Sequence, residues 1–243
     1  MSQRPYSNLF LASAVLLLAG CVGSKNVALE GTFPVPLMDK IPVSLAIHLD
    51  EELLGYIYQE NLEKEGEWNV NLGSVQTELF ENLSVGLFEA HALVGANAAP
   101  GFDGVLKPKI DDLQFSLPAH TRSNFYEVWI RYSFELYDSN GNSIGTWPLP
   151  AYGKASKRDF GSASTGVEAA AIAACRDAMA FFALNFAKVP QVRQWLANGK
   201  PQLPPPPPKP AGNTDGTDAG STGEGNSKEG SATEGESSEG ETS

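Results

Sequence analysis

The chain has two cysteines, three histidines and a mild scatter of carboxylates with which to do chemistry. His48, His91 and His120 are far apart and show no metal-ligand spacing. No His-Glu-x-x-His, cysteine pair or phosphate-cradling glycine loop occurs, so no metal or cofactor is expected. Asp111-Asp112 form a carboxylate pair that could suggest acid–base work. On an extended segment, neighbours face opposite ways and read as solvated charges. Gly161-Ser162-Ala163-Ser164-Thr165-Gly166 reads as a loop and cap entering a helix rather than a nucleophile site. Cys175 sits in Ala169-Ala170-Ala171-Ile172-Ala173-Ala174, where a thiol acts as a small buried hydrophobe. Cys21 is different: it directly follows an apolar stretch and two small residues. The expectation is a non-enzyme whose one chemically committed residue is Cys21.

Met1 to Gly20 has the three parts of a secretory signal: Arg4, an apolar run from Leu9 to Leu18, then Ala19-Gly20. That run is far short of the ~20 apolar residues a spanning helix needs. Leu17-Leu18-Ala19-Gly20-Cys21 resembles the bacterial lipobox. The resemblance implies diacylglyceryl transfer to the Cys21 thiol, cleavage at Gly20–Cys21 and acylation of the new amino group; the alternative is an ordinary signal with a chance cysteine. One acyl chain holds a protein only marginally, whereas two or more anchor it stably. In Gram-negative lipoproteins an aspartate after the cysteine favours the inner membrane. Val22 therefore implies the outer membrane, on its periplasmic face. With Cys21 lipidated, Cys175 stands alone and no intramolecular disulfide forms.

The formal charge of −12 is unevenly spread: eight acidic residues and the single Lys228 between Ala211 and Ser243 account for −7 of it. No basic face is offered to nucleic acid, and no polybasic segment to anionic lipid. Residues 1–20 read as signal, 21–39 as a tether, 40–198 as one domain and 199–243 as a tail. The tail opens with five consecutive prolines, Pro204 to Pro208, which favour an extended spacer. Its Gly/Ser/Thr/Glu remainder lacks the apolar surface to offset ordering entropy and reads as disordered. A solvated spacer and a ligand for a proline-binding partner both fit it.

Within the body, Val43, Leu45, Ile47 and Leu49 alternate as one strand. Gly55 to Tyr58 and Trp68 to Leu72 read as short strands around a charged loop at 60–67. Ser74 is placed to cap a helix carrying Val75, Leu79, Phe80, Leu83, Leu87 and Phe88, running to about His91. Segments 105–110 and 113–117 read as a strand bent near Pro108. From Tyr126 to Tyr137 the alternation is strict, and Asp138-Ser139-Asn140-Gly141-Asn142 supplies a hairpin turn into a return strand over 143–149. Trp129 and Tyr137 lie on the polar side of that hairpin, fitting either cross-strand pairs or a partner surface. Thr165-Gly166-Val167-Glu168 matches a capping box for a long alanine-rich helix. Arg176 and Asp177 near its middle speak against a membrane span. Pro190 ends the helix or kinks it.

The order predicts a two-layer α+β sandwich: a mostly antiparallel sheet with two helices on one face. Phe125 to Leu196, with its long strand into Leu136-Tyr137-Asp138-Ser139-Asn140-Gly141 and the small-residue helix after it, resembles periplasmic domains of outer-membrane lipoproteins. The LPS-assembly lipoprotein and penicillin-binding-protein activator types are examples. The resemblance implies an accessory factor in envelope assembly or transport with an envelope protein as partner, and no functional residue carries over. An enzyme or small-ligand binder with a pocket between sheet and helices is the alternative.

Overall fold

The computed structural model describes residues 23–95 and 101–199. The segments read as a signal peptide and a tail, and Cys21, lie outside the described residues.

In chain order the strands and helices are β1 (Lys25–Ala28), β2 (Ile41–His48), α1 (Glu51–Leu54), β3 (Ile57–Leu62), β4 (Gly66–Asn71), α2 (Gln76–Leu87), β5 (Phe88–Val94), β6 (Gly104–Ser116), α3 (Pro118–Thr121), β7 (Phe125–Asp138), β8 (Ser143–Ser156), α4 (Ala163–Asn185) and α5 (Pro190–Asn198). The class is α+β, as the element order predicts. A five-stranded sheet runs β5-β2-β6-β7-β8, and a three-stranded one runs β1-β4-β3. Both are mixed rather than mostly antiparallel: β2 is parallel to β5 and to β6, and β1 is parallel to β4. Parallel partners lie far apart in sequence and are joined by no turn signal, so their pairing leaves no local mark.

The alternating residues of β7 enter the core as their period requires: Val128, Ile130, Tyr132, Phe134 and Leu136 are all buried. The Phe134 ring meets Phe80 of α2 at 6.2 Å and Phe182 of α4 at 4.7 Å, so both helices cover the same sheet face. Trp68 of β4 reaches Phe115 of β6 at 5.2 Å and brings the small sheet against the large one. In the hairpin turn Gly141 takes φ 80°, and the Asp138 carboxylate accepts from the amides of Asn140 and Asn142. Those contacts, led by the Asn142 side chain, hold the Asp138 carboxyl below its usual range.

Several local expectations are corrected. The segment read as a tether is folded from Lys25 onward, since β1 pairs with β4 and Val27, Leu29 and Phe33 are buried. Strand β3 continues through Glu60 to Leu62, into the stretch read as loop. Helix α2 stops at Leu87, and Phe88 to Val94 form a strand along β2; Leu83, Leu87 and Phe88 satisfy a helical stripe and a strand start equally well. Ser74 makes no side-chain cap for α2, and its hydroxyl donates to the Asn71 carbonyl instead. Strand β6 passes straight through Pro108, paired with Phe134, and its irregularity falls between Ile110 and Asp112. Pro108 is tolerated there because β2 pairs with β6 only over Gly104 to Leu106, leaving no ladder bond for the missing N–H.

Strand β8 likewise runs to Ser156, beyond the expected Leu149, and Pro148 and Pro150 lie on it because it is an edge. Helix α4 begins one turn before the expected box. Ser162 is its cap and accepts from the Thr165 amide at 3.2 Å, while Glu168 accepts from the Glu30 amide at 3.1 Å.

Candidate interaction surfaces

The outer face of the large sheet, opposite the helices, carries the two aromatics singled out above. Trp129 is 42% exposed, and its ring lies 5.3 Å from that of Tyr152, its cross-strand partner on β8. The Tyr152 hydroxyl donates to Glu127 at 2.6 Å, which raises its pKa. Phe125 is also exposed, with Lys154 Nζ 5.1 Å from its ring. Tyr137 belongs elsewhere. Eight residues along the same strand place it ~26 Å from Trp129. There it lies beneath Lys107 Nζ at 4.9 Å and donates to Glu135 at 2.7 Å. The surface is therefore Phe125, Glu127, Trp129, Tyr152 and Lys154. Tyr152 was hidden in sequence by the prolines before it. The small residues Ala151, Gly153 and Ala155, alternating with Tyr152 and Lys154, are the signal that β8 continues.

Between that patch and Tyr137, the bulge at Asp111 turns both Asp111 and Asp112 towards Arg131, each at 3.9 Å. This corrects the expectation that they face opposite ways, because an extra residue cancels the strand's alternation. Ser133 and Gln114 donate to them, at 2.9 and 3.1 Å. The pair is a paired, hydrogen-bonded part of the polar face. The histidines remain separate: His48 Nδ1 is 2.7 Å from the Gly95 carbonyl, His91 is 3.3 Å from Glu81, and His120 is exposed on α3. Among the described residues, no three His, Cys, Asp or Glu side chains gather in one place.

Inside the body one polar chain crosses the core. The Tyr132 hydroxyl donates to Gln76 Oε1 at 3.3 Å and lies 3.8 Å from Cys175 Sγ, and Gln76 Nε2 donates to the Leu72 carbonyl at 2.9 Å. Burial pushes the Cys175 thiol from 9.0 up to about 12 and raises Tyr132 as well. An unfolded thiol ionises near 9.0 while the buried one keeps its proton to about 12, so between those values unfolding releases a proton. Stability should therefore fall as pH rises from about 9, by ~1.4 kcal/mol per pH unit for this one group. Urea midpoints measured across that window check it. Cys175→Ala should make the slope shallower without abolishing it, because Tyr132 also loses its proton only on unfolding. A midpoint indifferent to alkali would contradict the burial of this thiol.

The second surface is built by residues 29–38, an extended strap lying between α2 and α4. Arg176 of α4 donates to the Thr32 carbonyl at 2.9 Å. From α2, Glu78 accepts from the Phe33 amide at 3.2 Å and Asn82 donates to the Phe33 carbonyl at 2.7 Å. Gly86 lets the Pro36 backbone approach so closely that a Cβ there would lie 2.5 Å from the Pro36 oxygen. Past this clamp, Pro34 to Met38 and the second half of α4 border an open apolar groove of about 310 Å³. By contrast, the space under the sheet bounded by Leu79, Phe80, Leu83, Tyr132, Phe134 and Phe182 is filled by those side chains, with a cavity volume of about 0 Å³. Of the two mid-helix charges, Asp177 accepts from the Tyr152 amide on the open edge of β8 at 3.0 Å. None of the described helices is long and apolar enough to cross a membrane.

This is an α+β body with a solvent-facing aromatic sheet surface and a strap-bordered groove on its helical side. No family model and no curated protein matches its sequence. Among solved structures, a DUF330 protein from Xanthomonas campestris aligns at 10% identity over 71% of this chain and 99% of its own, with a TM-score of 0.46. A minor lipoprotein from Acinetobacter baumannii aligns at 18% identity over 67% of this chain and 95% of its own, with a TM-score of 0.31. Lipoprotein GNA1162 from Neisseria meningitidis aligns at 11% identity over 63% and 99%, with a TM-score of 0.27. Overlaps this partial leave the role of the chain to its own residues.

Proposed function

We propose that this chain is a bacterial lipoprotein, cut between Gly20 and Cys21 and held by lipid on Cys21 at the periplasmic face of the outer membrane. Its body serves there as a non-enzymatic accessory factor in envelope assembly or transport, acting through contacts with an envelope protein. The observation that carries the reading is Leu17-Leu18-Ala19-Gly20-Cys21 at the end of a short apolar signal. The lack of aspartate at Val22 favours the outer membrane. The contact role is supported by Trp129 and Tyr152, paired across an exposed strand pair and flanked by Glu127 and Lys154, because exposed aromatics with polar neighbours are what protein interfaces select.

Replacing the thiol separates this reading from an ordinary secreted protein. Cys21→Ala should abolish labelled palmitate incorporation and move the chain from the membrane to the soluble fraction. Retention in the membrane defeats the lipoprotein reading. A photo-crosslinker at position 129 in the lipidated chain should trap a discrete envelope protein, and trapping none counts against the accessory role.

A further inference from the structure

Leu37 projects from the strap 99% exposed, within Pro34-Val35-Pro36-Leu37-Met38, a stretch without a charge. Val35 and Met38 beside it are exposed, as is Leu184 across the groove at 63%. Phe181, one helical turn before Leu184, is exposed too but lies outside the groove lining. A single exposed leucine is ordinary, but Val35, Leu37, Met38 and Leu184 around one groove mark a contact face. Arg176 is the one charged residue in the lining.

The length of chain before the fold says what this face meets. From Cys21 to Lys25, whose ammonium is fixed to the Glu65 carboxylate and carbonyl at 3.0 and 2.7 Å, the backbone can span no more than ~14 Å. A domain of this size has a radius of gyration of ~16 Å. A lipid on Cys21 therefore keeps the body against the bilayer, and only the face presented is open. The β3–β4 hairpin beside Lys25 carries Glu60, Glu63, Glu65 and Glu67 against Lys64, and with Glu65 paired to Lys25 it keeps a net negative charge that anionic headgroups repel. The groove face, reached by the same strap, is apolar with one cation.

We propose that the strap–α4 face rests on the bilayer, with Leu37 and Leu184 entering the boundary between headgroups and acyl chains as a second, non-covalent membrane contact. This rests on the reading of Cys21 as lipidated. It turns the Trp129–Tyr152 surface, on the opposite side of the sheet from α4, away from the bilayer and towards periplasmic partners.

Nitroxide labels placed by Leu37→Cys, Leu184→Cys or Trp129→Cys in the full lipidated chain test it, in vesicles of phosphatidylethanolamine and phosphatidylglycerol. Cys175, being buried, stays unlabelled. Labels at 37 and 184 should be several-fold more accessible to oxygen than to a water-soluble nickel chelate, and the label at 129 should show the reverse. Palmitate incorporation is measured on the same samples. If palmitate is present and position 37 is as wet as position 129, the docking face is overturned and the anchor stands. If palmitate is absent, the anchor falls and this inference with it. A label at 37 shielded from both reagents places a protein or a second copy over the groove and also overturns the inference.

Discussion

Gly153→Ala is expected to destabilise the body by ~3 kcal/mol or more, the upper end of what overpacking costs. A Cβ at this position of β8 would stand 2.1 Å from the Ala170 carbonyl oxygen and 2.3 Å from the Ala174 amide nitrogen. Both atoms belong to the α4 backbone and cannot rotate aside as a side-chain tip can. Relief requires the helix to lift from the sheet. That would pull Phe182 from Phe134 and break the Asp177 contact to the Tyr152 amide. The run of alanines at 169–171, 173 and 174 brings helix and strand this close, and Gly153 is its counterpart on the sheet. Urea unfolding of Gly153→Ala beside Gly161→Ala checks the origin of the effect. A Cβ at Gly161 meets nothing within 4 Å, so that variant should stay near the parent. Equal stability of the two variants would refute the close packing of α4 on β8.

Phe134→Ala should cost a further-reaching ~3–5 kcal/mol, the range for removing a buried phenylalanine. Its ring is the shared point of the core: Phe80, Phe182, Tyr132 and Trp147 all lie within 6.2 Å of it. Four aromatic neighbours drawn from two helices and the sheet cannot close one void by a single small shift, so a cavity should persist. Trp129→Ala on the same strand, with its ring half in water, should lose no more than ~1 kcal/mol. The contrast in denaturation midpoints between the two variants tests the assignment of the inner and outer faces of β7. Similar losses at both positions would mean that the outer face is covered.

What could be read in the sequence divides by range. Strand β7 declared itself because one face is buried and the other wet, so Val128 and Trp129 differ at every step. Helix α4 was legible from its apolar stripe and from Pro190 beyond its end, although Ser162 rather than Thr165 provides the cap. Strand β1 is four residues long on a sheet edge, and the strap beyond it has no period at all. Val27 and Phe33 are core residues only because β4, α2 and α4 arrive there from far along the chain. Strand β5 was lost inside an apolar stretch that suits a helix equally well. At the outer surface Trp129 was visible from its place among charges. Its partner Tyr152 depended on how far β8 extends past two prolines, and grouping Tyr137 with Trp129 overlooked the length of strand between them. Asp111 and Asp112 share a face because of a bulge, which inserts a residue without any distinctive residue type.

The strap also sets an order of events. Its contacts join Glu30 to Glu168 and Thr32 to Arg176, residue pairs separated by 138 and 144 positions. In a chain that crosses a membrane from its N-terminus, residues 29–38 emerge early and wait for α4, the last long element to appear. Contacts of such range close slowly. For the lipoprotein proposed above, exported from its N-terminus, the strap therefore stays unlocked until α4 arrives.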